Sequence, residues 1–456
     1  MRAHGVALLL CALVVALLLP GQAFAEVRKA DVILDSTVDE RGLSVAQCPS
    51  IDAEYAILVN GDGDVYFSRD SETPSQIASV TKVMTAIVAI DNAKESTYVA
   101  VSEAAATIGE SSANLMQGDS MDFDSALKAL LVPSGNDAAV ALAETIGAQM
   151  IAANPSSGSD PVQVFVDAMN AKAREIGCTD TVYENPHGLD DGEFAGDLHS
   201  TAADQAKVAR CAMGYQKIRD IVGGGTTSIR VDRAGTKETV ELETTDELLE
   251  MYDAAIGIKT GYTELAGASF MGAASKDGME LYAVVLGSSD EQQRFVDAEN
   301  MFEWAYDHMS ELQLANSDEH TTMNAAGING DVPVVAKVSH ADWIDRTVPA
   351  TLSDPDAGVS IFDLDGNVSQ SMTFDELHGT VHAGDKVGKA VFKQRNEVIA
   401  EYDLVACETV EAPNPIETLS IGWQRFIGGF GGNPDKAESQ VYNVMPIINN
   451  NRSNAA

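Results

Sequence analysis

A chain of 456 residues with 69 Asp plus Glu against 29 Lys plus Arg carries a formal net charge of −40. That balance leaves no basic footprint for nucleic acid, gives no electrostatic pull toward anionic lipid, and describes a soluble, self-repelling surface. The length suits one large domain and one small one, and the eight histidines show no metal-binding spacing such as His-Glu-x-x-His, so neither metal nor other cofactor is expected.

Residues 1–25 read as a secretory signal. Arg2 supplies the basic start, Ala7 to Leu19 the apolar core, and Ala23-Phe24-Ala25 a small-x-small cleavage pattern that leaves Glu26 as the new N-terminus. Export removes the protein from ATP and NADH and permits disulfides. Cys48, Cys178, Cys211 and Cys407 remain, which allows three pairings, with Cys178–Cys211 the favoured pair. Residues 26–47 look polar and irregular. Tyr55–Asn60 and Asp64–Ser68 form a hairpin around Gly61-Asp62-Gly63. Helical periodicity follows at about 79–92, 124–131, 137–152, 162–176 and 201–213. Two more hairpins pair Ile229–Asp232 with Glu238–Leu242, and Ala268–Ala274 with Glu280–Leu286. An amphipathic helix at 291–308 sets Phe295, Phe302 and Tyr306 on one face. Strands at both ends with helices between them predict an α+β fold, an antiparallel sheet covered by helices.

Beyond this the pattern changes. Short strands at Val334–Val338, Lys389–Phe392 and Val398–Leu404, almost without helical runs, predict a small C-terminal β-rich domain over 332–407. Residues 408–456 then comprise a linker, a short amphipathic segment and a disordered tail. In the segment 416–430, Ile416, Leu419, Trp423, Phe426, Ile427 and Phe430 recur at helical spacing. Such a stripe suits peripheral membrane contact with Trp423 and Phe426 as anchors, or a helix docked on the protein itself.

Three strings carry the chemistry: Ser79-Val80-Thr81-Lys82 opening an apolar helix, Ser134-Gly135-Asn136 between two helices, and Lys259-Thr260-Gly261 ending an apolar run. Each arises by chance; their order and settings are the signal. A serine hydroxyl is a weak nucleophile and needs a base. Ser79 and Lys82, three apart on a helix, share a face. A lysine acts as base only when neutral, and burial plus a second cation at Lys259 both lower its pKa. Ser134 can relay a proton, Asn136 can hold a peptide carbonyl or orient Lys82, and Lys259 with Thr260 suits a substrate carboxylate.

The trio is similar to that of penicillin-binding proteins and class A β-lactamases. Further strings narrow the match: residues 110–119, Leu131 to Ala139, Asn185-Pro186-His187-Gly188-Leu189-Asp190, His199 to Asp204, and Lys259-Thr260-Gly261-Tyr262-Thr263. Over residues 48–310, and more weakly to about 410, the chain resembles the serine-type D-alanyl-D-alanine carboxypeptidases. These are the low-molecular-weight penicillin-binding proteins of the β-lactamase/transpeptidase-like superfamily. The resemblance implies a catalytic domain over 48–310 with a helical lobe on the sheet and the site at their junction. It implies a β-rich domain that positions the enzyme relative to wall or membrane, and a terminal amphipathic helix. It implies Ser79 as acyl-ester nucleophile, Lys82 as general base, Ser134 and Asn136 as the second-motif pair, and Lys259, Thr260 and Gly261 at the substrate carboxylate. The backbone N–H groups of Ser79 and Tyr262 would form the oxyanion hole, and Arg294 would reach the terminal carboxylate.

The expected activity is removal of the terminal D-alanine from peptidoglycan stem peptides ending in D-Ala-D-Ala, at the outer face of the cytoplasmic membrane or in the wall, with β-lactams as inhibitors. The alternatives on the same fold are a D,D-endopeptidase, a β-lactamase and a non-catalytic wall-binding protein. A β-lactamase needs a deacylating glutamate; Glu184 is the candidate by setting, but it adjoins a carboxypeptidase string. Intact Ser79, Lys82, Ser134 and Lys259 speak against a non-catalytic protein.

Overall fold

The computed structural model describes residues 26–325, 328–431 and 435–448, so the signal segment 1–25 and the last residues of the tail lie outside the described residues. The chain divides into two units, Met1–Tyr306 and Asp307–Ala456.

The first unit is built on a seven-stranded sheet. Its strands are β1 (Val32–Ile33), β2 (Ser36–Thr37), β3 (Tyr55–Asn60), β4 (Val65–Arg69), β9 (Ala255–Thr263), β10 (Gly267–Lys276) and β11 (Met279–Ser288), in the order β2-β1-β4-β3-β11-β10-β9. The named pairings are antiparallel. The intervening chain supplies a four-stranded sheet of β5 (Tyr98–Ala100), β6 (Ser120–Asp122), β7 (Thr227–Arg233) and β8 (Thr236–Leu242). It also supplies the helices α1 (Lys82–Asn92), α2 (Phe123–Leu131), α3 (Asn136–Ala153), α4 (Pro161–Glu175) and α5 (Ala202–Met213). After β11 comes α6 (Gln293–Asp307).

Burial explains the strand sequences. β10 and β11 are buried almost end to end, because α5 packs on the sheet through β3, β10 and β11, while α6 sets Phe295 edge-on to Phe270 and Trp304 edge-on to Phe67. A strand covered on both faces reads as a continuous apolar run rather than an alternation. The turn at Asp277-Gly278 takes positive φ at both central residues, +53° and +83°, the two-residue geometry whose twist matches the flanking strands. α1 is buried along its apolar length, with Val83, Met84, Ala86 and Ile87 fully covered, each large side chain contributing about 1.5–3 kcal/mol. It runs through the middle of the lobe, against α2, α3, α4 and α5.

The segment 26–47, expected to be irregular, carries β1, β2 and the helical turn Val38–Arg41. The reason is long-range. Arg69 on β4 donates to both Asp31 carboxylate oxygens at 2.8 and 2.7 Å and to the carbonyls of Ile51 and Ala53, all buried, and to the part-buried Glu26 carbonyl. The favoured Cys178–Cys211 disulfide does not form: all four cysteines described are free thiols, and Cys178 instead donates to the Asp204 carbonyl at 3.5 Å.

The second unit is β-rich. It pairs β12 (Met309–Gln313) with β17 (Gly358–Phe362), and β13 (His320–Ala325) with β14 (Ile328–Pro333). Its six-stranded sheet runs β18-β19-β20-β16-β15-β21, from β15 (Ala336–Ser339), β16 (Thr347–Leu352), β18 (Val368–Phe374), β19 (Lys386–Gln394), β20 (Glu397–Ala406) and β21 (Gln440–Val441). Val338, Val348, Leu352, Phe392 and Leu404 are central to its core. Helix α7 (Pro415–Gly431) follows. Arg425 on α7 donates to the carbonyls of Ala341 and Trp343. Between α7 and the 447–456 segment expected to be disordered, the chain is bound: β21 pairs with β15, and Asn443 donates to the Leu314 carbonyl and to Gln370. No helix among the described residues is long and apolar enough to cross a membrane.

Candidate active site

Ser79 lies on a 3-10 turn, Ala78–Thr81, that runs directly into α1. Ala78 before it is held at φ +47°, an L-residue in the left-handed region, which costs on the order of 1–3 kcal/mol. Lys82, fully buried at 0% exposure, places its Nζ 2.7 Å from Ser79 Oγ and donates to the His187 carbonyl at 2.8 Å. Burial, and then the Lys259 charge, push its amine well below the ordinary lysine range, against an opposing pull from Asp137.

The loop that supplies the His187 carbonyl is folded by its own sequence. Asn185 Oδ1 accepts the N–H groups of His187 and Gly188, its amide donates to the Leu189 carbonyl, and Thr85 on α1 donates to the Pro186 carbonyl. Gly188 sits at φ +92°, and any Cβ there would fall on the Ala78 carbonyl oxygen. Only glycine allows the loop to close on the serine turn. The His187 imidazole is buried and pushed down to about 3, chiefly by burial, so it is neutral at physiological pH.

Ser134 stands at φ +64° in the turn between α2 and α3, with its Oγ buried and making no hydrogen bond within the protein. Asn136 opens α3; its amide donates to the Gly109 carbonyl at 3.0 Å, and its Oδ1 is buried without a partner. The adjacent Asp137 accepts from Ser112 Oγ and from the N–H groups of Ala113 and Leu115, fastening the 109–118 loop over the start of α3.

Lys259, Thr260 and Gly261 lie on β9, the edge strand. Lys259 is 1% exposed and donates to the Thr260 carbonyl at 3.0 Å. Burial, and then Arg294, lower its pKa to about 7, with Asp246 opposing. A Cβ on Gly261 would lie 2.9 Å from the Ile77 carbonyl and 3.2 Å from the Val80 nitrogen, so the strand passes directly against the serine turn. Tyr262 projects outward, half exposed. Arg294, in the first turn of α6, donates to the Gly261 carbonyl at 3.0 Å and pairs with Glu291 at 3.2 Å.

The structure thus brings Ser79, Lys82 and the 185–190 loop into direct contact, packs β9 on the same turn, and joins Arg294 to β9. Ser134 and Asn136 make no direct hydrogen bond to Ser79, Lys82 or Lys259. Two participants lie inside matched strings, but the motifs gave them no role. The His187 contribution is its carbonyl, and the Asp137 carboxylate holds a loop; neither role has a residue-type signal.

An antiparallel sheet with a helical lobe and a serine–lysine pair at the start of the lobe's central helix defines the class of serine enzymes that holds penicillin-binding proteins and class A β-lactamases. Residues 43–290 match the Peptidase_S11 family, described as D-alanyl-D-alanine carboxypeptidase, and residues 364–412 match the penicillin-binding protein 5 C-terminal domain. The chain belongs to the Peptidase_S11 family of D-alanyl-D-alanine carboxypeptidases. It is 30% identical over 390 residues to the D-alanyl-D-alanine carboxypeptidase DacF of Bacillus subtilis, covering 82% of this chain and 91% of that protein. It is 26% identical to DacC of Escherichia coli, over 80% of this chain and 86% of that one. Among solved structures, the Streptomyces K15 DD-transpeptidase matches with a TM-score of 0.52 at 28% identity, covering 57% of this chain and 98% of that chain.

Proposed function

We propose that this carboxypeptidase works through an acyl-enzyme on Ser79, with Lys82 as the base. The observation that carries the reading is the 2.7 Å contact between Ser79 Oγ and a fully buried Lys82 amine whose charged form is disfavoured. A neutral amine spends one N–H on the His187 carbonyl and keeps its lone pair for the serine proton. Ser79 Oγ bonds to the carbonyl carbon of the penultimate D-alanine, and the proton passes to Lys82. The C–N bond then breaks, and the departing D-alanine nitrogen takes a proton by way of Ser134. Water afterwards gives a proton to Lys82 and bonds to the acyl carbon, the C–Oγ bond breaks, and that proton passes from Lys82 to Ser79 Oγ.

The developing oxyanion is held by the backbone N–H groups of Ser79 and Tyr262. Asn136, with an unpartnered Oδ1, receives the substrate amide. Lys259 and Thr260 hold the terminal carboxylate, and Gly261 lets the strand approach. Arg294, held by the Gly261 carbonyl and Glu291, is the further cation for the terminal carboxylate. The reaction is assigned to residues 48–310.

β-Lactams acylate the same serine because their ring amide mimics the substrate. The measurement is D-alanine released from diacetyl-Lys-D-Ala-D-Ala by the mature protein, alongside the Ser79→Ala variant. Release by the wild type alone supports the reading. No release from correctly folded wild type, or equal release from both, overturns it.

The proposed substrate lies outside the cytoplasm, so the reading has the chain act in the cell envelope after loss of residues 1–25. We further infer that α7 contacts the membrane interface. Ile416 and Leu419 are 83% and 80% exposed, and Trp423, Phe426 and Ile427 continue the same face, an apolar strip that single scattered residues do not explain. Co-sedimentation with phosphatidylcholine vesicles tests it: binding lost in Trp423→Glu supports the contact, and absence of wild-type binding refutes it.

A further inference from the structure

The turn before β9 contains a carboxylate that the reaction above does not use. Asp246 is 5% exposed. Its Oδ1 accepts the Leu248 N–H at 3.1 Å, while Oδ2 is buried with no hydrogen-bond partner. The Ile258 backbone amide also favours its charged form, without closing a bond. The turn is fixed to the site on two sides. Thr245 N–H donates to the Val132 carbonyl at 3.2 Å, just before the Ser134 turn, and Thr245 Oγ1 lies 2.7 Å from Thr260 Oγ1 on β9.

An oxygen in this state is costly unless charge compensates it. The compensating groups come from two other elements: Lys259 on β9 and Arg294 on α6, both of which favour the Asp246 anion. The other acidic groups nearby are engaged elsewhere. Glu247 accepts from Gln292 at 2.6 Å, and Glu291 pairs with Arg294 while remaining largely in solvent.

We propose that Asp246 is a positioning residue, a buried counter-ion near Lys259 and Arg294, which keeps Lys259 charged while no substrate carboxylate is present. The idea rests on the reading that Lys259 binds that carboxylate. Two cations without this anion repel each other, and the lysine, being able to shed its proton, is the one that yields. Lys259 already sits near 7 because of burial and Arg294, with Asp246 opposing. Removing the anion moves the loss of charge to lower pH. Asp246 itself is raised by burial to about 6, so in acid the wild type neutralises its own counter-ion and behaves as the variant does.

The test is the pH profile of kcat/KM for Asp246→Asn, which preserves shape, measured by D-alanine release with thermal unfolding as the check on fold. A nearby opposite charge is worth on the order of one pH unit. The alkaline limb is therefore expected to move to lower pH by about one unit, giving about tenfold lower kcat/KM above it, with kcat at saturation little changed. The two profiles converge below about pH 6. A uniform loss at every pH, or an unmoved limb, overturns the proposal. Lys259→Met is run in parallel. If it leaves KM unchanged, the carboxylate-binding reading itself fails. If it raises KM while the Asp246→Asn limb stays in place, only the counter-ion role fails.

Discussion

Lys259→Met should make the protein more stable and less active, and the size of the gain should depend on pH. Lys259 titrates near 7 in the folded chain against an ordinary 10.5. That gap corresponds to a cost of about 5 kcal/mol for holding the ammonium in the fold. A base whose folded pKa is depressed binds fewer protons folded than unfolded, so wild-type stability rises with pH between the two values. The full cost is present below about pH 7 and fades as pH rises toward 10.5. Methionine removes the charge at similar volume but loses the 3.0 Å bond to the Thr260 carbonyl, worth about 1 kcal/mol. A net gain of about 3–4 kcal/mol at pH 6.5 remains, on the order of 10 °C in Tm. Thermal unfolding of both proteins at pH 6.5, 8 and 9.5 reads it directly. The gap should narrow steadily with pH. A variant less stable at pH 6.5, or a gap constant across the series, refutes the idea that Lys259 is held charged against its environment.

Arg69→Met should cost about 3–5 kcal/mol, because Asp31 is left buried and unpaired; urea unfolding measures it, and pairing it with Asp31→Leu should restore most of the loss. Gly188→Ala should slow acylation sharply in stopped-flow penicillin binding, since a Cβ at φ +92° meets the Ala78 carbonyl and pushes away the loop whose carbonyl holds Lys82. An unchanged acylation rate would contradict that coupling. In wild-type kinetics, kcat/KM should fall above about pH 7 as Lys259 loses its proton in the empty site. The limb in kcat should lie at higher pH, because a bound carboxylate favours the ammonium; coincident limbs would count against the assignment.

Local chemistry made much of the architecture legible. The Tyr55–Asn60 strand, the 137–152 helix and the hairpin through Lys276-Asp277-Gly278 reappear within two residues at every end, because apolar period and turn residues act over short spans. What the sequence did not reveal depends on partners far away in the chain. β1 and β2 form because Arg69 reaches back to Asp31, and β21 because β15 offers an open edge. Two-residue strands carry no periodicity to read. At the site, Ser79, Lys82 and Lys259 announce themselves by spacing. The lysine's second partner is a backbone carbonyl, and Asp246 lies in an unremarkable turn; main-chain acceptors and counter-ions leave no motif.

Intact-mass and peptide mapping of the mature, folded protein after exposure to benzylpenicillin tests the central claim most directly. A single penicilloyl adduct is expected on the peptide containing Ser79, absent in Ser79→Ala and strongly slowed in Lys82→Met. An adduct on another residue, or rapid labelling without Lys82, would contradict a serine activated by a buried neutral amine.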